Sequence, residues 1–335
     1  MNRSDFLKRA SSSGTGISPT HGVTKFMNNT LLYVITVLIW GSTWIAINYQ
    51  LGEVAAEVSI VYRFGLAALC MFAYCRFKKL PLKFSVKQHL QLSAFGLTLF
   101  GFNYYLLYNA QAHINSALTS IAFSTLMMIN ILNARVWFKT RISSRVYYGG
   151  ALGLMGIVTL FWPQISNVHF GDSTLLGLGL CLIGVMFAST GNMISIKNQH
   201  DNMPVLPATA WGMMYGSLFM FVVALVQGQT FNFSYTFEYI SSLLYLSIFG
   251  SVIAFGCYLT LLARIGAHKA SYATIMFPAV AVVISSFFEG FIWDSYTFIG
   301  LSLMLAGNLV VLAKPGMLKR LNSTSLKQVS CSDAK

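Results

Sequence analysis

The sequence predicts an all-α polytopic membrane protein, with ten transmembrane helices arranged as two inverted five-helix repeats. Three observations carry that expectation: a shortage of charge, apolar runs of membrane-spanning length, and basic residues confined to alternate loops. Of the 335 residues, 56% are hydrophobic and only 9% are charged, whereas a soluble domain carries about 25% charged residues. Crossing a hydrocarbon layer roughly 30 Å thick takes about 20 apolar residues. Such runs recur at 31–50, 57–76, 90–110, 115–137, 146–163, 174–196, 206–227, 241–263, 270–291 and 296–313. The connections are short, so no water-soluble domain fits between them. What remains is a polar, basic leader over 1–30, a first five-helix unit over 31–163, a second over 174–313 and a basic tail over 314–335. The leader has no apolar region of its own, so the first span is expected to act as an uncleaved anchor. Met27, directly before that span, is an alternative start to Met1.

The net charge of +13 suggests a nucleic-acid partner until its distribution is read. With the N-terminus inside, 21 of the 22 basic residues fall in the leader, the inner loops and the tail, among them Arg76, Lys78, Lys79, Arg135, Lys139, Lys197, Arg264 and Lys269. The outer loops hold none, and carry Glu53, Glu57, Asp172, Glu238, Glu289 and Asp294 instead. Positive residues resist translocation, so the asymmetry places both termini in the cytoplasm and calls for an even number of spans. The basic excess records topology, with anionic lipid headgroups as neighbours, and predicts no nucleic-acid partner. Four of the five cysteines (Cys70, Cys75, Cys181 and Cys257) lie in spans and none forms a CxxC pair, which reads as apolar packing. No cofactor or metal site is expected.

The two halves match weakly but in register. Trp40-Gly41-Ser42-Thr43 in the first span corresponds to Phe187-Ala188-Ser189-Thr190 in the sixth. Tyr105-Leu106 with Ala110 corresponds to Tyr258-Leu259 with Ala263, and Gly149 and Gly156 to Gly300 and Gly307. Five helices are an odd number, so tandem copies must enter the membrane in opposite orientations. Inverted repeats are a transporter architecture, with solute bound near the midplane where the halves meet.

On these residues the chain resembles the drug/metabolite transporter superfamily, specifically proteins with two EamA domains, over about residues 30–313. The resemblance is carried by WGSTWIAIN in the first span, Tyr62-Arg63-Phe64 in the second, and IMFPAVAVVISSFFEG leading into the glycine-bearing tenth. The first half departs from the pattern: Thr125 stands where the second half has Pro278, and the acidic residue at the end of the fourth span is missing. The resemblance implies an alternating-access carrier with the fifth and tenth helices at the periphery. It also implies amino acids, toxic cations or nutrients such as riboflavin as cargo.

Candidate functional residues lie inside the spans. Arg63 is the only basic residue there, about 5 Å from its span's midpoint by helical rise. An arginine at that depth costs about 2.5–3.5 kcal/mol on insertion scales and must face partners. Two readings stand: an anchor for a substrate carboxylate or phosphate, or a scaffold holding backbone carbonyls or Glu57. Asn48 and Asn192 are amides that are hard to satisfy within their own helices. Ser42, Thr43, Ser189, Thr190 and the Ser116, Ser120, Ser124 stripe line a polar cavity or pack helices closely. Trp44, Tyr104, Trp211 and Tyr258, with Tyr108, Tyr215 and Phe277 beside them, offer a stacking surface or serve as bulk at the membrane boundary. Pro278 removes the donor that would pair with the carbonyl of Thr274, making a kink or a backbone site.

The absences narrow the function class. No Asp or Glu sits near a span centre and all six histidines lie outside the span interiors, so no proton relay is visible. The basic loops lack the clustered acids and histidines that a membrane-embedded enzyme needs, so no catalytic residue is expected. There is neither a charged ring of the channel type nor a Walker motif. The expectation is therefore a secondary transporter in the cytoplasmic (inner) membrane, as monomer or homodimer, leaning to an aromatic or heteroaromatic solute: riboflavin taken up, or an aromatic amino acid. Export of amino acids or cationic drugs is the alternative.

Overall fold

The computed structural model describes residues 27–114, 116–139, 143–160, 162–166, 172–288 and 293–312. Residues 1–26 of the leader, the tail, His169 and Glu289 lie outside this set. Among the described residues the chain forms ten long helices and no strand. They are α1 Asn29–Asn48, α2 Ala56–Phe77, α3 over 86–111, α4 over 116–138 and α5 Ser144–Leu160 in the first half. The second half holds α6 Asp172–His200, α7 Val205–Val226, α8 Phe237–Ile265, α9 Ala273–Phe288 and α10 Ser295–Leu312. Five of them (α1, α2, α6, α7 and α8) are individually long and apolar enough to cross a membrane.

Hydrogen bonds between distant segments define the two ends of the bundle. At one end the Arg264 guanidinium donates to the Met27 carbonyl (2.8 Å), Gln91 to Asp201 (3.0 Å) and Trp211 to the Leu82 carbonyl (3.0 Å). At the other, Asn232 donates to the Glu53 carbonyl (2.7 Å) and Tyr62 to the Asn232 carbonyl (3.0 Å). The first is the basic end and the second the acidic end. Helix α1 starts at the basic end, whereas α6, its counterpart in the second half, starts at the acidic end. The packing repeats the inversion. Helix α1 packs on α8 and α9 as α6 packs on α3 and α4, while α2 meets α7 and α5 meets α10 across the repeat axis.

The α5–α10 crossing explains the paired glycines. A Cβ on Gly149 would meet the Gly307 carbonyl at 2.7 Å, and one on Gly307 would meet the Gly149 carbonyl at 2.6 Å. Gly156 and Gly300 face each other in the same way, at 2.7 Å in both directions. The four glycines that match along the sequence thus touch backbone to backbone across the axis. Only hydrogen side chains permit that approach.

A further repeat lies in α3 and α8. Leu97-Thr98-Leu99-Phe100-Gly101 and Leu246-Ser247-Ile248-Phe249-Gly250 share one pattern, and both sit in π-helical segments, Leu97–Phe102 and Leu246–Ile253. The second π segment is the longer, eight residues against six. Wider turns loosen the carbonyl ladder. The released acceptors are used nearby: Gly250 takes the Trp40 indole N–H (2.9 Å), Leu246 the Ser251 hydroxyl (2.8 Å) and Leu99 the Asn103 amide (3.3 Å).

At the acidic end, Asp294 caps α10 by accepting from the backbone N–H (2.8 Å) and hydroxyl (2.7 Å) of Thr297. These bonds hold its carboxyl below the ordinary value of 3.8. A depressed folded-state value means that its stabilisation is complete above pH 3.8 and fades as the pH falls through the folded value. Asp294→Ala should cost at most about 0.5 kcal/mol after solvent screening. The cost should shrink as the pH falls through the folded value, in thermal melts compared across pH.

Candidate solute-binding cavity

A cavity of about 40 Å³ lies between the halves, walled by α1, α3 and α4 with α2, and by the corresponding α6, α8 and α9. Helices α5, α7 and α10 contribute nothing to it. Seven aromatic rings line it: Trp40 and Trp44 from α1, Tyr104 from α3, Phe123 from α4, Phe255 and Tyr258 from α8, and Phe277 from α9. The Trp40 ring sits 4.7 Å from Phe255, 4.9 Å from Tyr258 and 5.6 Å from Phe277, so it ties α1 to both neighbours in the other repeat.

Arg63 lies in this wall at 1% exposure. Its Nε donates to the Ser251 hydroxyl (3.2 Å), one terminal nitrogen donates to the Tyr108 hydroxyl (3.3 Å), and the guanidinium lies 4.6 Å from the Tyr104 ring centre. Among the described residues no carboxylate pairs with it. Glu57, the partner named for the scaffold reading, does not hold it. A buried guanidinium held by two neutral hydroxyls and an aromatic face keeps its charge uncompensated, and such a site attracts an anion.

Three further polar atoms of the cavity residues have no partner in the protein: the Trp44 indole N–H, the Asn103 side-chain oxygen and the Asn192 side-chain oxygen. The Asn192 amide N–H₂ is spent on Asn130 and on the Tyr258 hydroxyl, both at 3.3 Å, and Asn130 in turn donates to Ser271 at 2.7 Å. That chain links α4, α6, α8 and the start of α9 on the basic side of the cavity. A buried polar atom without a partner costs about 1–3 kcal/mol. One donor and two acceptors around a single cavity therefore describe a ligand with complementary groups.

The structure brings Arg63, Trp44, Tyr104, Asn192 and Tyr258 together here, and places two expected residues elsewhere. Asn48 is exposed at the acidic end of α1, the last residue of its helix, so its amide meets solvent instead of the cavity. Trp211 points away on α7: its ring packs on Phe72 and His89 at 5.1 and 4.7 Å, and its N–H holds the Leu82 carbonyl, pinning the 78–85 loop to the basic end. Pro278 stays within a continuous α9, and the Thr274 carbonyl it releases accepts from the Ser124 hydroxyl of α4 at 3.4 Å. The freed backbone acceptor thus serves packing between helices. Trp40, Asn103, Phe123 and Phe255 belong to the wall and were not singled out from the sequence. For Asn103 a signal existed, since it is an amide within a span like Asn192.

With this geometry in view, the EamA-like transporter family matches residues 28–162 and again 173–313, one match to each five-helix half. The chain belongs to that family. It is a multi-pass membrane transporter built from two inverted copies of one unit, with the aromatic cavity between them. Among its curated relatives, an uncharacterized transporter, YoaV, of Bacillus subtilis is 24% identical over 261 residues, covering 76% of this chain and 87% of its own. A probable amino-acid metabolite efflux pump of Escherichia coli is 21% identical, covering 83% and 92%. A crystal structure with 15% sequence identity superposes with a TM-score of 0.70, covering 85% of this chain and 96% of that one, which supports the fold.

Proposed function

We propose that this transporter is a secondary carrier for a small amphipathic carboxylate, best fitted by an aromatic amino acid, with its basic end and both termini in the cytoplasm. The observation that carries this reading is Arg63, a buried cation with no acidic partner, set in an aromatic cavity. A solute carboxylate supplies the missing charge, the aromatic walls take an aromatic side chain, and an ammonium group fits the two orphaned amide oxygens. Export of cationic drugs fits poorly, because a cation would meet the Arg63 guanidinium, which no carboxylate among the described residues pairs. Riboflavin would use the aromatic walls but leave Arg63 without a counter-charge. Relatives from Escherichia coli and Salmonella typhimurium that carry the name of probable amino-acid metabolite efflux pumps lend support to the amino-acid class. The ten helices act as ten crossings of the inner membrane, and without a carboxylate or histidine relay the solute gradient sets the direction.

Counterflow in proteoliposomes reads such a carrier whatever its direction. Labelled aromatic amino acids should accumulate against unlabelled ones and not against their amides. Accumulation of organic cations with no exchange of carboxylates would defeat the proposal. Trp44→Ala should raise the KM about tenfold, the loss of one aromatic contact worth about 1.5 kcal/mol. Trp211→Ala should leave the KM unchanged and lower only the thermal midpoint.

A further inference from the structure

A second cavity, of about 330 Å³, lies on the other face of α8 from the solute site. Phe255 and Tyr258 face the solute cavity, while Gly256 and Cys257 line this cleft. Met27 and Ile35 of the α1 segment, Met71 and Tyr74 of α2, Leu206 of α7, and Val252 and Ile253 of α8 complete its walls, which are almost wholly apolar. A Cβ on Gly256 would meet only Leu206, at 3.4 Å, so the glycine leaves space open.

We propose that this cleft holds an acyl chain of an anionic phospholipid from the leaflet at the basic end, with the phosphate beside Arg264. Two observations select that occupant. The first is depth. From Met27 to Ile35 the wall runs about 12 Å by helical rise, close to the half-thickness of a hydrocarbon layer of roughly 30 Å. It starts at the end of the bundle and stops near the middle, as one leaflet's chain does. The second is charge at the mouth. The Arg264 guanidinium donates to the carbonyl of Met27 itself, at 2.8 Å. On α2, Arg76 and then Lys78 follow Met71 toward the same end. Water does not fill an apolar space of this kind, because it would lack polar partners. The inference needs the bundle to span a bilayer and does not depend on which solute is carried.

The test is lipid retention by the full chain, purified in detergent, stripped of lipid and offered dioleoyl phosphatidylglycerol or dioleoyl phosphatidylcholine, with bound lipid read by native mass spectrometry. One phosphatidylglycerol should be retained, at least tenfold more tightly than phosphatidylcholine. Gly256→Leu, and independently Ile35→Trp in case the first variant folds poorly, should abolish retention by filling the cleft. Arg264→Gln should weaken it about tenfold and erase the headgroup preference. Equal retention of the two lipids, no retained lipid, or retention undiminished in both filled variants would overturn the proposal. Solute counterflow measured on the same preparations reports on the other cavity separately.

Discussion

Arg63→Gln should yield a folded, monodisperse protein that exchanges carboxylate solutes at least about tenfold less efficiently. A charge-assisted hydrogen bond to a buried anion is worth about 1.5–3 kcal/mol, a factor of roughly 10–150 in kcat/KM. Glutamine keeps a side-chain donor for Tyr108 or Ser251 while removing a charge that has no acidic partner. The thermal midpoint without solute should therefore hold or rise, because a buried uncompensated charge weakens the empty protein. The two readings of this arginine separate on that outcome. If Arg63 served as scaffold, the substitution would lower expression and the melting temperature together. If it anchors the solute, transport falls while stability holds, and added carboxylate solute, which stabilises the parent by binding its native state, no longer raises the midpoint of the variant. A destabilised variant with unaltered KM would remove Arg63 from the solute site.

Gly300→Leu should cost about 3 kcal/mol or more and leave little folded protein. A Cβ at that position would sit 2.7 Å from the Gly156 carbonyl and from the backbone of Leu160. Backbone does not yield as a side-chain end does, so α5 and α10 must part along their length. Gly156→Leu, on the opposite face of the same crossing, should do the same. Gly179→Ala in α6 is the control, since nothing lies within 4 Å of its Cβ position. That variant should match the parent or gain slightly from helix propensity. Size-exclusion profiles and thermal melts of the three variants decide the matter. A monodisperse Gly300→Leu protein with parental stability would mean that the α5–α10 contact is not close-packed in the membrane.

Some of the site could be read before any helix was placed. Arg63 stood out because a charge within a span is costly enough to demand a reason, and Asn192 because an amide is hard to satisfy within one helix. The same logic applied to Asn103 and was not carried through. It also misplaced Asn48, whose amide lies at a helix end where solvent satisfies it. Trp211 was misread for a different reason. Its spacing from Tyr215 is that of one helix face, and the two rings do stack at 5.7 Å, but the face they share looks toward the 78–85 loop. Spacing reveals that residues share a face and is silent about what the face meets. The π segments of α3 and α8 left a trace in the repeated Leu-x-x-Phe-Gly pattern. Their geometry was not visible, because an extra residue in a helical turn changes hydrogen bonding without changing hydropathy.

The number and order of the helices and the inversion between halves follow from run lengths and from where the basic residues fall. Both are properties of the linear chain, set by hydrocarbon thickness and by the cost of moving positive charge across a bilayer. Which side of each helix looks into the cavity was decided by tertiary structure alone. A helix bathed in lipid is apolar around most of its circumference, so the polar-apolar stripe that orients a soluble helix is largely erased. Arg63, Asn103, Asn192 and the aromatic walls converge because the two repeats pack against one another, through contacts such as the mutual close approach of Gly149 and Gly307.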